Sequence, residues 1–183
     1  EIYTIERGDT LDGLRRKYKI SSDLLMRING IQDPRRLSIG RRIKIPALEL
    51  SIEVDKTNNT LTLYNNDRFF KRYRVRTGAF DYMTPTGDFT IQGKTENPTW
   101  TDPKTNRRYP PGDPDNQLGA RWLAFDEPRG LGIHEATDPA TVGTYSSNGC
   151  VGMKRDDVIE LYNLVRRGTP VKIVGQRPPE IKP

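Results

Sequence analysis

Cysteine and histidine are nearly absent from this chain: Cys150 and His134 are the only ones among 183 residues. A lone cysteine forbids an internal disulfide, so cysteine usage says nothing about redox compartment. One of each also argues against a zinc centre, which needs three or four such ligands close together; no metal or cofactor is expected. No run of 18 apolar residues occurs, so no transmembrane helix is expected. Internal repeats and low-complexity tracts are missing too, which excludes a solenoid. The opening EIYTIERGDT reads as folded protein rather than as a signal peptide.

Positive charge, by contrast, is plentiful. Thirty Lys and Arg against 24 Asp and Glu leave a net charge of +6, with arginine pairs at Arg15-Arg16, Arg35-Arg36, Arg41-Arg42, Arg107-Arg108 and Arg166-Arg167. Such a surface suits nucleic acid, anionic lipid or acidic wall polymers, and equally serves solubility alone. Neither an RNA-binding aromatic signature nor a basic helix is present, so nucleic acid is not the expected partner.

Residues 1–48 read as a small α+β unit. IYTI alternates as a strand; Asp9 or Thr10 caps a helix through Leu11, Leu14 and Tyr18. Ser21 or Ser22 caps a second helix, which Asn29-Gly30 ends, and RRIKIP closes the unit as a strand. This βααβ order, with GDTL, LLMRINGI and IGRRIKIP, resembles the LysM module from end to end. The resemblance implies binding of N-acetylglucosamine-containing glycans such as peptidoglycan. It places the sugar against Gly8, Asp9, Thr10 and Leu11 and against Asn29, Gly30 and Ile31, residues that also serve as caps and turns. Gly13 departs from a good helix former.

After a short, stiff connection the text becomes strand-rich, and residues 49–176 read as a mainly β domain with one helix, followed by a tail at 177–183. SIEVD, TLTLY, FFKRYRVRTG, GDFTI, RWLAF, GLGIHEA and TPVKIVG are the strand candidates. RDDVIELYNLVRRG is the helix, capped by Asp156 or Asp157, with Val158, Leu161 and Val165 buried and Gly168 at its end. Residues 94–119 form a long proline-rich loop, and such loops are usually functional or mobile.

Cys150 lies in YSSNGCVGM, sixteen positions after His134 in GLGIHEA. A free thiol is only a few per cent thiolate at neutral pH, so a nucleophilic cysteine needs a base or a positive environment. A strand-loop-strand path would bring the two together, and Gly149 lets successive main-chain N–H groups converge on one point. A thiolate poised by His134 should be alkylated well below pH 8. Lone cysteines and histidines also serve as core residues, and spacing alone leaves both readings open.

IHEATDPATVGTYSSNGCVGM, with TPTGDFTI, NPTW, PPGDPDNQLGARWLAF and DDVIELYNLVRRGTPVKI, resembles the L,D-transpeptidase catalytic domain. The resemblance implies a β-sandwich with one helix. It makes Cys150 the nucleophile and His134 its base and later acid. The Glu135 carbonyl would orient the imidazole, amides of Asn148, Gly149 and Cys150 would hold the oxyanion, and Ser147 would support the turn. On this reading the long loop, with Trp100, Tyr109 and Arg107-Arg108, is a lid or acceptor wall; an ordered surface loop is the alternative. The chain departs from the family's usual residues at Glu135 (often Gly), at Asn148 (often His) and at Gly152 (commonly Arg or Asn). At 152 a side chain that braces the loop or meets an acidic peptide is lost; Lys154 or Arg155 offers charge nearby.

The implied protein is an extracytoplasmic cell-wall enzyme at the wall or in the periplasm. Its partners would be peptidoglycan glycan through the LysM unit and stem peptides at the catalytic site. An L,D-carboxypeptidase using the same residues, and a peptidoglycan-binding protein with little or no turnover, are the competing readings.

Overall fold

The computed structural model describes residues 1–127 and 130–178, so the expected tail lies largely outside the described residues. The first strand, β1 (Ile2–Thr4), pairs antiparallel with β2 (Arg42–Lys44), and helices α1 (Leu11–Tyr18) and α2 (Ser22–Asn29) fall between them. Local chemistry accounts for both helices. Thr10 caps α1 by accepting from the Gly13 N–H, and Ser21 caps α2 by accepting from the Leu24 N–H. Gly13 now has a reason: a Cβ there would sit 3.1 Å from the capping Thr10 hydroxyl. Ile5, Leu11, Leu14, Leu25, Ile31, Ile43 and Ile45 form this unit's own core.

Asn29 fastens α2 to β2. Its amide donates to Leu25 O (2.9 Å) and Lys44 O (2.8 Å), and its side-chain oxygen accepts from Lys44 N (2.6 Å). Asn29→Ala is expected to cost this unit about 2 kcal/mol, given partial solvent access to these bonds. Denaturation followed by hydrogen exchange at β2 checks it. Unfolding monitored by Trp100 and Trp122, both in the second half, should not move.

The remaining chain adds β3 (Leu50–Asp55), β4 (Thr60–Asn65), β5 (Arg68–Gly78), β6 (Gly87–Glu96), β7 (Trp100–Thr101), β8 (Arg108–Tyr109) and β9 (Arg121–Phe125). Then come β10 (Gly132–Glu135), β11 (Tyr145–Ser147), β12 (Val151–Met153), α3 (Arg155–Leu164) and β13 (Pro170–Val174). The order β5-β12-β10-β9-β6-β13-β3-β4 returns to β5, so the two faces expected of a sandwich are one sheet closed into an eight-stranded barrel; β11 joins β5 from outside. Closure leaves the ring no free edge. The core draws on nearly every strand and on α3, through Val158, Leu161 and the following Val165.

Two details differ from the sequence expectation. Helix α3 starts at Arg155, and Lys154, not Asp156 or Asp157, occupies the cap position without a side-chain hydrogen bond. The two aspartates lie in the first turn, where the helix dipole favours negative charge. The helix also ends at Leu164, before Gly168, which instead turns the chain into β13 with φ +83°. Lys94 of β6 closes that end by donating to Tyr162 O and Val165 O, both at 2.6 Å. The loop 94–119 is likewise less open than expected: β7 and β8 make a small hairpin inside it.

Candidate active site

Strand register assembles the site. His134 of β10 pairs with Trp122 of β9 on one side and with Gly152 of β12 on the other, and Gly152 pairs with Arg76 of β5. Directly paired residues share a face of the sheet, so Trp122, His134, Gly152 and Arg76 form one row. The alternate residues Ile133, Val151, Met153 and Val75 are fully buried in the barrel core. The row therefore lies on the outer face. Gly132 lets β10 approach β9, because a Cβ there would come within 2.2 Å of Leu123 O.

His134 is 5 % exposed, and its Nδ1 lies 2.7 Å from Glu135 O. A carbonyl only accepts, so Nδ1 carries the proton and Nε2 keeps a lone pair. Burial, helped by the charge of Arg76, pushes the imidazole down to about 4, against the opposing pull of the Glu135 and Gln117 carbonyls. Cys150 is half-buried, and its Sγ donates to Gly130 O at 3.3 Å. Burial pushes the thiol up, opposed by a main-chain hydrogen bond from Gly132 and by Arg76. At the sulfur desolvation outweighs the nearby cation, and Gly130 O accepts the thiol's hydrogen bond, an arrangement that favours the neutral pair over the standing thiolate expected from the sequence.

The turn before Cys150 is braced as a unit. Ser147 Oγ donates to Cys150 O (2.5 Å) and accepts from the Gly149 N–H (3.2 Å). Gly149 has φ +103°, a backbone state natural only to glycine. Since Ser147 engages the Gly149 N–H, the amides of Asn148 and Cys150 are the other main-chain donors of this turn. Beside this turn runs a segment the sequence reading passed over: Phe80, Tyr82 and Met83 are exposed, and a Cβ on Gly149 would lie 3.6 Å from Tyr82 O. An apolar stretch, AFDYM, where a polar turn was due was the available signal.

Glu135 does more than lend its carbonyl. Its carboxylate accepts from Ala120 N (2.6 Å) and pairs with Arg155 (3.2 Å). It fills the space beside Gly119, where a Cβ would lie 2.4 Å from Oε2. The end of the long loop is thereby tied to the histidine's strand. Within that loop the buried Asn116, also unnoticed in the sequence, donates to Pro98 O (2.8 Å), Tyr109 O (3.1 Å) and Pro110 O (3.1 Å). Trp100 and Tyr109 stack on each other across the hairpin, with centroids 5.2 Å apart.

In the N-terminal unit, Asp9 accepts from Tyr3 OH and Glu6 N (2.9 and 2.7 Å), and Thr10 is the cap. Gly8 turns with φ +94°. Ile31, expected to face the sugar, is instead a core residue, 6 % exposed, with its N–H bonded to Met26 O at 2.9 Å. No cluster of three metal-ligand side chains occurs among the described residues. Nor is any described helix long and apolar enough to cross a membrane.

Comparison with known proteins follows these two units. Residues 49–173 match the model of the YkuD family, the L,D-transpeptidase catalytic domain, and residues 3–46 match the LysM domain. The chain is 34% identical over 177 residues to the putative L,D-transpeptidase YkuD of Bacillus subtilis, covering 93% of this chain and 97% of that one. An Enterococcus faecium L,D-transpeptidase mutant superposes with a TM-score of 0.58 at 24% identity, over 69% of this chain and 50% of its own. L,D-transpeptidase 3 of Mycobacterium tuberculosis, solved with a faropenem-derived adduct, gives 0.58 at 19%, over 74% and 65%. With the family model matching residues 49–173 and the alignment covering 97% of a curated relative, this chain belongs to the L,D-transpeptidase family and carries a LysM domain ahead of its catalytic domain.

Proposed function

We propose that the enzyme forms L,D cross-links in peptidoglycan through a thioester on Cys150. The observation that carries this is the adjacency of β10, which bears a buried imidazole with Nδ1 fixed by Glu135 O, and β12, which Cys150 immediately precedes. Sγ attacks the carbonyl joining the L-centred third stem residue to a terminal D-amino acid, and its proton passes to His134 Nε2. Because the thiol keeps its proton at rest, deprotonation accompanies attack, as general-base catalysis allows. The amides of Asn148 and Cys150 hold the tetrahedral oxyanion. Collapse breaks the C–N bond, and the imidazolium protonates the departing amine. An acceptor amine then gives its proton to His134 and resolves the thioester, restoring the thiol. Tyr82 and Met83 lie beside the nucleophile's turn, and Lys104, between the two strands of the hairpin bearing Trp100 and Tyr109, sits over the Tyr82 ring at 5.7 Å. The LysM domain raises the local concentration of stem peptides by holding glycan, which places the enzyme's work at the wall outside the cytoplasm.

The test is incubation with purified disaccharide-tetrapeptides, followed by mass spectrometry. The expected product is a dimer formed with loss of one terminal D-amino acid. Trimmed monomers alone would replace this reading with a carboxypeptidase, and unchanged substrate with retained sacculus binding would replace it with a wall-binding protein.

A further inference from the structure

Gly152 stands where the family resemblance implies an arginine or asparagine, two positions after Cys150, yet the space is not empty. A Cβ on Gly152 would lie 2.5 Å from Arg76 Nε, 2.6 Å from its Cγ and 3.0 Å from its Cδ. The volume into which a side chain at 152 would grow is already filled by an arginine from the next strand. Because His134, Gly152 and Arg76 are paired in sequence across β10, β12 and β5, all three lie on one face. Neighbouring strands are about 4.8 Å apart, so a long side chain starting on β5 and crossing a glycine on β12 heads toward the histidine.

The surroundings of the guanidinium point the same way. Nε is buried without an acceptor among the described residues, and Nη1 donates to the neutral Thr141 Oγ1 at 3.3 Å. Cys150 and Asp138 are the groups whose negative charge favours its ionised form, while burial opposes it. A half-buried cation with an idle donor is costly unless an anion joins it. The reaction makes such an anion within the site.

We propose that Arg76 is the cation of this active site: reaching across Gly152 from β5, it pairs with the negative charge that Cys150 takes on when it gives up its proton. Its charge arises from β5 rather than from β12, and Gly152 is the condition for its reach. The inference rests on Cys150 being the nucleophile, but not on which acceptor resolves the acyl enzyme. The charged and titratable groups facing this cluster are His134 from β10, Asp138 before the following turn and Cys150 itself.

The test reads the thiol directly. Cys150 is the only cysteine in the chain, so iodoacetamide alkylation followed by intact mass reports it alone. Arg76→Met keeps the stem over Gly152 and removes the charge. It should move the alkylation profile to higher pH and slow the reaction about tenfold below its midpoint. Arg76→Lys should retain most of the wild-type profile. Arg76→Ala should resemble Arg76→Met, and adding Gly152→Arg to Arg76→Ala should restore alkylation to within about threefold, because the same charge then arises from β12. An unchanged profile in folded Arg76→Met overturns the proposal, as does a folded double variant no better than Arg76→Ala. If the double variant does not fold, Arg76→Met decides. A wild-type chain whose alkylation depends on Arg76 but which makes no dimers would sink the transpeptidase reading and leave this one standing.

Discussion

Cys150→Ala is expected to reduce acyl transfer by about 10⁵-fold or more, to the limit of detection, since removal of a nucleophile eliminates the covalent route. The same variant should give no mass increase with a carbapenem, whereas the wild type gains one adduct. Retention on purified sacculi should stay at the wild-type level, because the LysM domain has a core of its own, formed by residues between Ile5 and Ile45. Stability should also hold to within about 1 kcal/mol: the thiol is half-buried, and its loss removes one small group. A Cys150→Ala protein that still forms dimers would show that the chemistry lies elsewhere. One that fails to bind sacculi would show that the two domains do not act separately.

The second large effect is on stability, and its sign follows from His134. The imidazole's folded value, about 4, lies below the ordinary 6.5. Between these values the unfolded chain binds more protons than the folded one, so stability falls as pH drops through that window. It is unaffected by this group above 6.5 and levels off below 4. Full traversal costs about 3 kcal/mol, at about 1.4 kcal/mol per unit of displacement. Asp33, Asp55, Asp102 and Asp126 are held below the usual carboxylate range by their hydrogen bonds. Their contribution is lost only at still lower pH. Asp157, raised by burial, has the opposite sign. Comparing wild type with His134→Gln cancels these carboxylates: the difference in denaturation midpoint should change between pH 6.5 and 4 and stay constant above. Equal acid sensitivity in the two proteins would mean the histidine is not desolvated.

Much of this molecule is readable locally. Thr10 and Ser21 cap helices because a short oxygen-bearing side chain precedes an apolar periodic run, and Gly30 ends one with φ +58°. The Cys150 and His134 motifs were legible by rarity and by family resemblance. What the sequence hid depends on register between distant segments. Barrel closure rests on β4 meeting β5 while β13 runs parallel to β3, and alternation within one strand says nothing about its neighbours. The sequence leads one to expect a capping side chain for α3 at Asp156 or Asp157, whereas Lys154, directly after β12, holds that position without one. Arg76 drew no attention because its meaning lies in what it covers. Until β5 is laid beside β12, Gly152 looks like a loss.

The hydrogen bond from Cys150 to the Gly130 carbonyl has a chemical consequence beyond turnover. Peroxide reacts with sulfur anions far faster than with protonated sulfur, and a chain with one cysteine has no neighbouring thiol to rescue a sulfenic acid. With its proton held by Gly130 O, Cys150 rests in the form that oxidises more slowly.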